Sequence, residues 1–214
     1  MKNVEFMIFD LDGTLIDSKV DIANALNLIM EEFGYGPFSL KEVVSFIGGG
    51  VRNLIRKAMG TQRRELEDRA YDAFLEYYSN HLLDNTILYP SVKDLLKSLN
   101  GKKKAVITNK PEDLSIRVLD GLNIRSHFSL VLGGDSLKLK KPFPEPLLKA
   151  MMEVNAESEK TIMIGDSPID IEAGKRAGVA TCGVTYGYSS REELEEAGAD
   201  IVIDNLIDLK KVVF

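Results

Sequence analysis

Apolar residues follow two different patterns along the chain, and the first is a short continuous run at its beginning. Residues from Val4 to Phe9 are mostly apolar and unbroken by turn residues, which is typical of a strand buried on both faces of a parallel sheet. The run ends at Asp10, Asp12 and Gly13. The pattern therefore predicts a buried first strand with polar residues directly after it.

The second pattern covers about residues 18 to 83, where apolar residues recur at helical spacing and no strand is predicted. Glycines separate the segments at Gly34, at residues 48–50 and at Gly60, and Ser39 is placed to cap the second helix. The fourth helix is predicted to open at Thr61. These residues predict an all-helical block inserted directly after the first strand.

From about residue 85 the predicted helices and strands alternate, which is typical of a parallel sheet covered by helices on both faces. Strands are predicted at residues 104–107, 129–132, 161–164, 179–184 and 201–203, and helices at 91–99, 111–122, 144–155, 167–177, 191–197 and 205–212. We therefore predict an α/β fold with a Rossmann-like parallel sheet core, residues 1–15 and 85–214, and an inserted all-helical cap domain, residues 16–84.

Composition excludes several classes of protein. The 214 residues are 44% hydrophobic and 28% charged, with a net charge of −6, and no long basic block is present, which argues against nucleic acid as a partner. No run of about 18 apolar residues and no leader pattern occurs, so we expect no membrane partner and a cytoplasmic location. The single cysteine, Cys182, lies in an apolar run and is predicted to be core. The oligomeric state is left open.

The first candidate site lies at the end of the first strand. Because side chains alternate along an extended chain, Asp10 and Asp12 can project to the same side. Two carboxylates held this close repel each other unless a cation lies between them or one is protonated. The alternative is an ordinary acidic turn, since turns favour the same residue types.

Polar residues follow other predicted strands as well, and parallel strands end at one edge of a sheet. Thr108 and Asn109 lead into a helix N-terminus, which favours an anion, and Asp166 and Asp170 enter another helix. Lys141 lies in a proline-restricted loop. Taken singly, each of these residues has a structural interpretation: a loop for Thr108 and Asn109, a surface charge for Lys141, and a helix start for Asp166 and Asp170. Together they predict a site for Mg²⁺, a hard cation that prefers oxygen ligands, and for a phosphate group bridged to it.

These motifs resemble those of the haloacid dehalogenase superfamily, specifically its phosphatase branch with a helical cap inserted after the first motif. Residues 9–14 resemble the first motif, Thr108 and Asn109 the second, Lys141 the third, and residues 165–170 the fourth. The resemblance covers the whole chain. It implies a sheet with the nucleophile on its central strand.

The resemblance also implies roles for the acidic residues. Asp10 would attack the substrate phosphorus and form an aspartyl phosphate, and Asp12 would protonate the leaving oxygen and later deprotonate water. Mg²⁺ would be held by Asp10, the backbone carbonyl of Asp12 and Asp166, with Asp170 supporting it from nearby.

For the remaining motif residues, the resemblance implies contacts to the substrate phosphate. Thr108 and Asn109 would bind the phosphoryl oxygens, and Lys141 would balance the charge between Asp10 and the phosphate. The predicted activity is a Mg²⁺-dependent phosphomonoester hydrolase for a small phosphorylated metabolite. Asp12 argues against carbon–halogen chemistry, because the dehalogenases lack this second aspartate.

Residues 46–54 of the cap, together with Thr14, are similar to those of phosphoglycolate phosphatases, which implies 2-phosphoglycolate as the substrate. Arg52 is the candidate contact to its carboxylate, since a guanidinium suits that geometry, and Arg56 and Lys57 are rivals. The glycines at 48–50 are either a helix break or a loop that faces the substrate. Open alternatives are an inorganic pyrophosphatase, a sugar-phosphate phosphatase or phosphomutase, and a non-catalytic phosphate-binding module.

Overall fold

The computed structural model describes residues 4–60 and 64–213. Within them the strands, in chain order, are Phe6–Phe9 (β1), Ile16–Asp17 (β2), Ile87–Leu88 (β3), Lys103–Ile107 (β4), Leu130–Leu132 (β5), Thr161–Gly165 (β6), Ala180–Val184 (β7) and Ile201–Ile203 (β8). Six of these described strands form one parallel sheet in the order β5-β4-β1-β6-β7-β8. This order confirms the α/β prediction and places β1 between β4 and β6.

Helices occupy most of the remaining described chain. Their bounds are Lys19–Glu32 (α1), Leu40–Phe46 (α2), Val51–Met59 (α3), Glu67–Asn80 (α4), Val92–Ser98 (α5), Glu112–Gly121 (α6), Glu145–Val154 (α7), Pro168–Arg176 (α8), Arg191–Glu196 (α9) and Leu209–Val213 (α10). The predicted start of the fourth helix at Thr61 lies outside the described residues. A 3-10 turn, Arg64–Leu66, leads into α4.

The apolar run of β1 is explained by burial on both of its faces. Phe6 and Ile8 pack into one hydrophobic cluster, and Met7 and Phe9 pack into another. All four side chains are buried. A strand covered by helices on both sides has no solvent face, so its sequence shows no polar alternation.

Helices α1 to α4, residues 19–80, are called the cap from here on. Their buried residues recur at helical spacing, as Ile22, Leu26 and Ile29 do in α1. Ser39 and Glu42 form a reciprocal capping box at the start of α2, which confirms the predicted cap residue.

The two connections between cap and sheet form a short antiparallel ribbon that the sequence did not predict. Ile16 of β2 pairs with Leu88 of β3, and Asp17 pairs with Ile87. Two residues are too few to show a strand pattern. The ribbon places the outgoing and returning chains side by side at the base of the cap.

Two smaller findings complete the fold. Pro111 lies just before α6 with an extended backbone, φ −53° and ψ 142°, and not at the first helical position as expected. In the described part of the chain, no helix has both the length and the apolar character needed to cross a membrane.

Candidate active site

A cavity of about 340 Å³ lies between the cap and the edge of the sheet where β1, β4 and β6 end. Both layers line it. The core contributes Asp10, Asp12, Thr108, Asn109, Lys110 and Asp166, and the cap contributes Lys41, Ile47, Gly48, Gly50, Val51, Leu54 and Tyr78, among others. The crevice at the carboxyl ends of parallel strands, where a ligand is expected, is therefore roofed by cap helices.

Three carboxylates meet at this edge. Asp10, Asp166 and Asp170 are buried, and each places an oxygen within 4.8 Å of the others. Lys141 lies among them, with its Nζ 2.8 Å from Asp10 Oδ1 and 2.6 Å from Asp170 Oδ1. Residues from three distant parts of the sequence thus form one charged cluster, and Asp10 and Asp166 lie directly after β1 and β6, as the strand-end rule predicts.

The cluster holds more negative than positive charge. Burial, followed by repulsion from Asp170, raises the pKa of Asp10 to about 7, even though Lys141 opposes the shift. Burial and the charges of Asp170 and Asp10 likewise raise the pKa of Asp166 well above its usual value. One lysine does not neutralise three buried carboxylates, so a further cation would be favourable here.

The donor set fits a divalent metal ion of the hard type. Its candidate ligands are all carboxylate oxygens, without sulfur or imidazole. Asp166 is held in place because Thr14 Oγ1 donates to its Oδ1 at 3.1 Å and the Tyr188 backbone N–H donates to its Oδ2 at 2.8 Å. The Asp166 side chain fits here only because positions 13 and 187 are glycines. A Cβ on Gly13 or on Gly187 would lie 2.2 Å from Asp166 side-chain atoms.

Asp170 is tied down more completely than the other two carboxylates. Its Oδ1 accepts from Lys141, and its Oδ2 accepts from the Ser167 hydroxyl at 2.6 Å and the Ser167 backbone N–H at 3.1 Å. The capping box at the start of α8 accounts for Oδ2, and Lys141 accounts for Oδ1. A supporting position for Asp170 agrees with these contacts better than a direct ligand position does.

Asp12 lines the same cavity but does not join the cluster. Lys110 Nζ donates to its Oδ1 at 2.7 Å and to its Oδ2 at 3.0 Å, and the Ser18 hydroxyl donates to Oδ1 at 2.5 Å. The sequence did not predict Lys110 and Ser18 as site residues. A signal for Lys110 was available, because it directly follows Thr108 and Asn109 at the end of a strand.

Thr108 and Asn109 both reach the cavity, but their side chains are used differently. Thr108 Oγ1 accepts from the Lys110 N–H at 3.2 Å and can still donate into the cavity. The Asn109 amide donates to the carbonyl oxygens of Gly48 and Lys141, each at 2.9 Å. Both amide hydrogens are thereby used, so the predicted contact from this amide to a phosphoryl oxygen would require these bonds to break.

The glycines at 48–50 form a contact between cap and core. In addition to the Asn109 bond, Lys140 Nζ donates to the Gly49 carbonyl at 2.7 Å. Gly48 and Gly50 also line the cavity. Two interpretations of these glycines were left open by the sequence. A loop that faces the site agrees with the contacts, whereas a plain helix break does not account for them.

Arg52 does not line the cavity. Its guanidinium bonds Asp68 at 2.6 Å and lies 4.2 Å from the Tyr71 ring centroid, on the outer side of the cap. Its two rivals are also engaged elsewhere, Arg56 with Glu67 and Lys57 with a backbone carbonyl. Among the described residues, the cavity-lining cations are Lys41 of the cap and Lys110 of the core, so the predicted contact from Arg52 to a substrate would need a different side-chain position.

Comparisons with known proteins all indicate the same family. The sequence profile of the haloacid dehalogenase-like hydrolases matches residues 7–184. A protein of Chromobacterium violaceum named phosphoglycolate phosphatase is 37% identical over 216 residues, covering 98% of this chain and 96% of its own. One of the same name from Aquifex aeolicus is 39% identical over 213 residues, covering 97% and 95%.

Solved structures agree with the sequence comparison. A predicted phosphoglycolate phosphatase from Haemophilus somnus superimposes with a TM-score of 0.92 at 30% identity, and the match covers 98% of both chains. A similar protein from Lactobacillus delbrueckii also reaches a TM-score of 0.92, at 26% identity and 99% coverage of both chains. The sheet and the cap are thus shared along the full length.

Proposed function

The chain belongs to the haloacid dehalogenase-like hydrolase family and is a phosphatase of that family, and from this premise we propose that it is a Mg²⁺-dependent hydrolase of 2-phosphoglycolate. The main observation behind the mechanism is the cluster of Asp10, Asp166, Asp170 and Lys141 under the cap. The proposed substrate rests on the relatives named phosphoglycolate phosphatase, which are 37–39% identical over nearly the whole chain.

In the first step, a carboxylate oxygen of Asp10 forms a bond to phosphorus while the bond from phosphorus to the ester oxygen breaks. Asp12 gives its proton to that departing oxygen, so glycolate leaves as an alcohol. The position of Asp10 is set by its backbone N–H, which donates to the Ile164 carbonyl of β6 at 2.9 Å. The product of this step is an aspartyl phosphate.

In the second step, a water oxygen bonds to phosphorus and the bond from phosphorus to Asp10 breaks. Asp12, now a carboxylate, takes the water proton, and inorganic phosphate and free Asp10 result. Lys141 contacts Asp10 directly and reduces the repulsion between its carboxylate and an incoming phosphate. Thr108 has a free hydroxyl donor for a phosphoryl oxygen.

Asp10 and Asp166 are the side chains that would hold Mg²⁺, with Asp170 behind them and the Asp12 carbonyl as a further predicted ligand. When bound, the ion supplies positive charge against the phosphate during transfer. We propose that residues 16–84, which include the cap helices and their two connections, form a separate cap domain. It would keep bulk water from the site, since cap residues line half of the cavity.

The carboxylate of 2-phosphoglycolate needs a cation on the cap side. Lys41 lines the cavity and Arg52 does not, so we give Lys41 precedence over Arg52, the candidate from the sequence. Replacing each by methionine separates them, because loss of the carboxylate contact raises KM for 2-phosphoglycolate. Lys41→Met is expected to raise it by about 10-fold, and Arg52→Met to leave it nearly unchanged. The reverse result would restore Arg52.

The deciding experiment is phosphate release from a substrate panel. It compares 2-phosphoglycolate, sugar phosphates, nucleotides and pyrophosphate, each with Mg²⁺ and with a chelator. We expect 2-phosphoglycolate to be preferred, release to require Mg²⁺, and Asp10→Asn to abolish it. A preference for pyrophosphate, or activity that survives in Asp10→Asn, would contradict the proposal.

The other candidate functions gain no support from these residues. A pyrophosphatase or phosphomutase would share the catalytic cluster, but the relatives are named for phosphoglycolate. A cytoplasmic location, and the absence of nucleic-acid and membrane partners, remain predictions from the sequence.

A further inference from the structure

Lys110 is a buried cation without a role in the mechanism above. Its side chain is 3% exposed, and it lies at the end of β4 beside Thr108 and Asn109. Its ammonium spans both carboxylate oxygens of Asp12, at 2.7 Å and 3.0 Å, and donates to the Tyr78 hydroxyl at 2.8 Å. One ammonium therefore connects the proposed acid–base residue to the last turns of cap helix α4.

The charge of this lysine depends on its two partners. Burial opposes the ammonium, but Asp12 and Tyr78 outweigh burial and raise the pKa of Lys110 above its usual value. Burial keeps Tyr78 a neutral phenol by raising its pKa to about 12. A buried ammonium held by a carboxylate and a phenol has little freedom to turn, because an alternative position would leave its hydrogens without partners.

We propose that Lys110 is a positioning residue for Asp12, which holds the Asp12 carboxylate toward the reacting phosphate and, through Tyr78, ties that orientation to the docked cap. The inference rests on the proposed role of Asp12 as acid and base. The Ser18 hydroxyl also donates to Asp12 Oδ1, at 2.5 Å. Asp12 is thereby held by the core through Lys110 and by the start of the cap connection through Ser18.

This role has a chemical signature that other roles of Lys110 lack. The quantity kcat/KM reports the steps up to aspartyl-phosphate formation, where Asp12 only has to protonate the leaving oxygen. An alkoxide leaving group needs that proton, whereas p-nitrophenolate leaves readily without it. A lysine that merely binds phosphate or supports the fold affects both substrates equally.

The experiment compares kcat/KM for 2-phosphoglycolate and for p-nitrophenyl phosphate, both with saturating Mg²⁺. Lys110→Met is expected to lower kcat/KM for 2-phosphoglycolate by about 100-fold and for p-nitrophenyl phosphate by less than about 5-fold, in line with the usual size of general acid catalysis. Tyr78→Phe should lower only the former, by about 3- to 10-fold. In the double variant the Tyr78 effect should vanish, because it acts through Lys110.

Lys104→Met is the matched control. Lys104 is also a buried lysine of β4, but its ammonium donates to the backbone carbonyls of Leu99 and Lys102. Its removal should leave the ratio of the two kcat/KM values unchanged. If Lys110→Met does not fold, as judged by circular dichroism, Tyr78→Phe carries the test alone, since it removes one oxygen.

Equal losses on both substrates, or no loss on either, would overturn the positioning role. Asp12→Asn separates this outcome from a failure of the proposed function. If Asp12→Asn itself shows no dependence on the leaving group, the acid role of Asp12 is wrong. If the wild type does not hydrolyse 2-phosphoglycolate, the alkyl phosphate that it does hydrolyse replaces that substrate, and the comparison for Lys110 is unchanged.

Discussion

Asp10 occupies a position where its own charge is unfavourable. It is buried beside Asp166 and Asp170, and its pKa is raised to about 7 by burial and by Asp170. A carboxyl group with a raised pKa binds its proton more tightly in the folded chain than in the unfolded one. The folded state therefore loses stability as the pH rises from about 4 toward 7.

This sign leads to a prediction for the metal-free protein. Asp10→Asn, which carries no charge at any pH, should be more stable than the wild type at pH 8 by up to about 4 kcal/mol, since each pKa unit corresponds to about 1.4 kcal/mol. Near pH 4 the two proteins should be equally stable. Urea unfolding in the presence of a chelator measures the difference.

Magnesium should reverse the order of stability of the wild type and Asp10→Asn at pH 8. Adding Mg²⁺ at pH 8 stabilises the wild type by binding to the folded state, and it should stabilise Asp10→Asn much less, because one ligand has lost its charge. Asp113→Asn is the control, since Asp113 is exposed and far from the cluster in sequence. An Asp10→Asn protein that is less stable than the wild type at pH 8 without metal would contradict the charge excess.

At the scale of single elements, the glycine loop at the start of α3 is one of the places where cap and core touch. Gly50 has φ +80° and ψ 171°, a conformation that essentially only glycine adopts. A Cβ here would lie 2.8 Å from the Asn109 carbonyl oxygen and 2.8 Å from Lys140 Nζ. The loop thus needs glycine for its backbone and for its approach to the core.

Gly60, at the other end of α3, separates these two requirements. It has a similar backbone, φ +67° and ψ −155°, but apart from the adjoining chain no atom of the described residues lies within 4 Å of the place that a Cβ would occupy. Gly50→Ala and Gly60→Ala should therefore both lose about 1–3 kcal/mol of stability. Only Gly50→Ala should also lose about 10-fold or more in kcat/KM, because the cap cannot dock closely. Equal activity of the two variants would contradict this.

The ribbon of β2 and β3 is reinforced by Asp21. This buried carboxylate accepts from the backbone N–H groups of Asn85 and Thr86, from the Asn85 amide and from the Thr86 hydroxyl, at 2.7–3.0 Å. The first turn of α1 is thereby fixed to the returning connection. One buried side chain thus joins the beginning of the cap to the chain that leaves it.

Asp21→Asn should test this fixation. An amide keeps one acceptor oxygen and turns an N–H group toward the donors, so several buried hydrogen bonds are lost. We expect a loss of about 2–4 kcal/mol in the free energy of unfolding. Asp113→Asn, an exposed acidic residue, should change it little. A change below about 0.5 kcal/mol for Asp21→Asn would show that the connection is held by other contacts.

At the scale of the whole molecule, the cap covers the sheet edge and turns it into a roofed cavity. The cavity of about 340 Å³ lies at the small end of the range for ligand pockets. Its walls come from both layers, so a bound phosphate ester must fit beneath the helices. Substrate size is therefore limited by how the cap and the core meet.

Two phenyl phosphates of different size provide the test. The enzyme should hydrolyse phenyl phosphate with a kcat/KM at least about 100-fold higher than that for a ten-residue peptide containing phosphotyrosine, because the peptide chain cannot enter the docked site. The reacting groups are chemically alike, so only size differs. Comparable values for the two would mean that the cap does not restrict access during turnover.

The sequence alone was enough for the sheet and for the acidic part of the site. The unbroken apolar run of β1 reports burial on both faces, and local periodicity predicted the later helices and strands to within a few residues. Because parallel strands end at one edge, the positions of Asp10 and Asp166 followed from their places directly after strands, whereas Lys141 reaches them from a loop. Their roles in catalysis remain predictions.

Only the tertiary structure decided what the cap contributes. Lys110 contacts Asp12, 98 residues away, and Tyr78, 32 residues away, and Asn109 contacts Gly48, 61 residues away. The orientation of helices α2 and α3 could not be predicted from the sequence either. It brings Lys41 to the cavity and leaves Arg52 outside it. Helical periodicity shows which face of a helix is buried, but the neighbour that buries it depends on how the cap and the core pack together, and local sequence carries no signal for that contact.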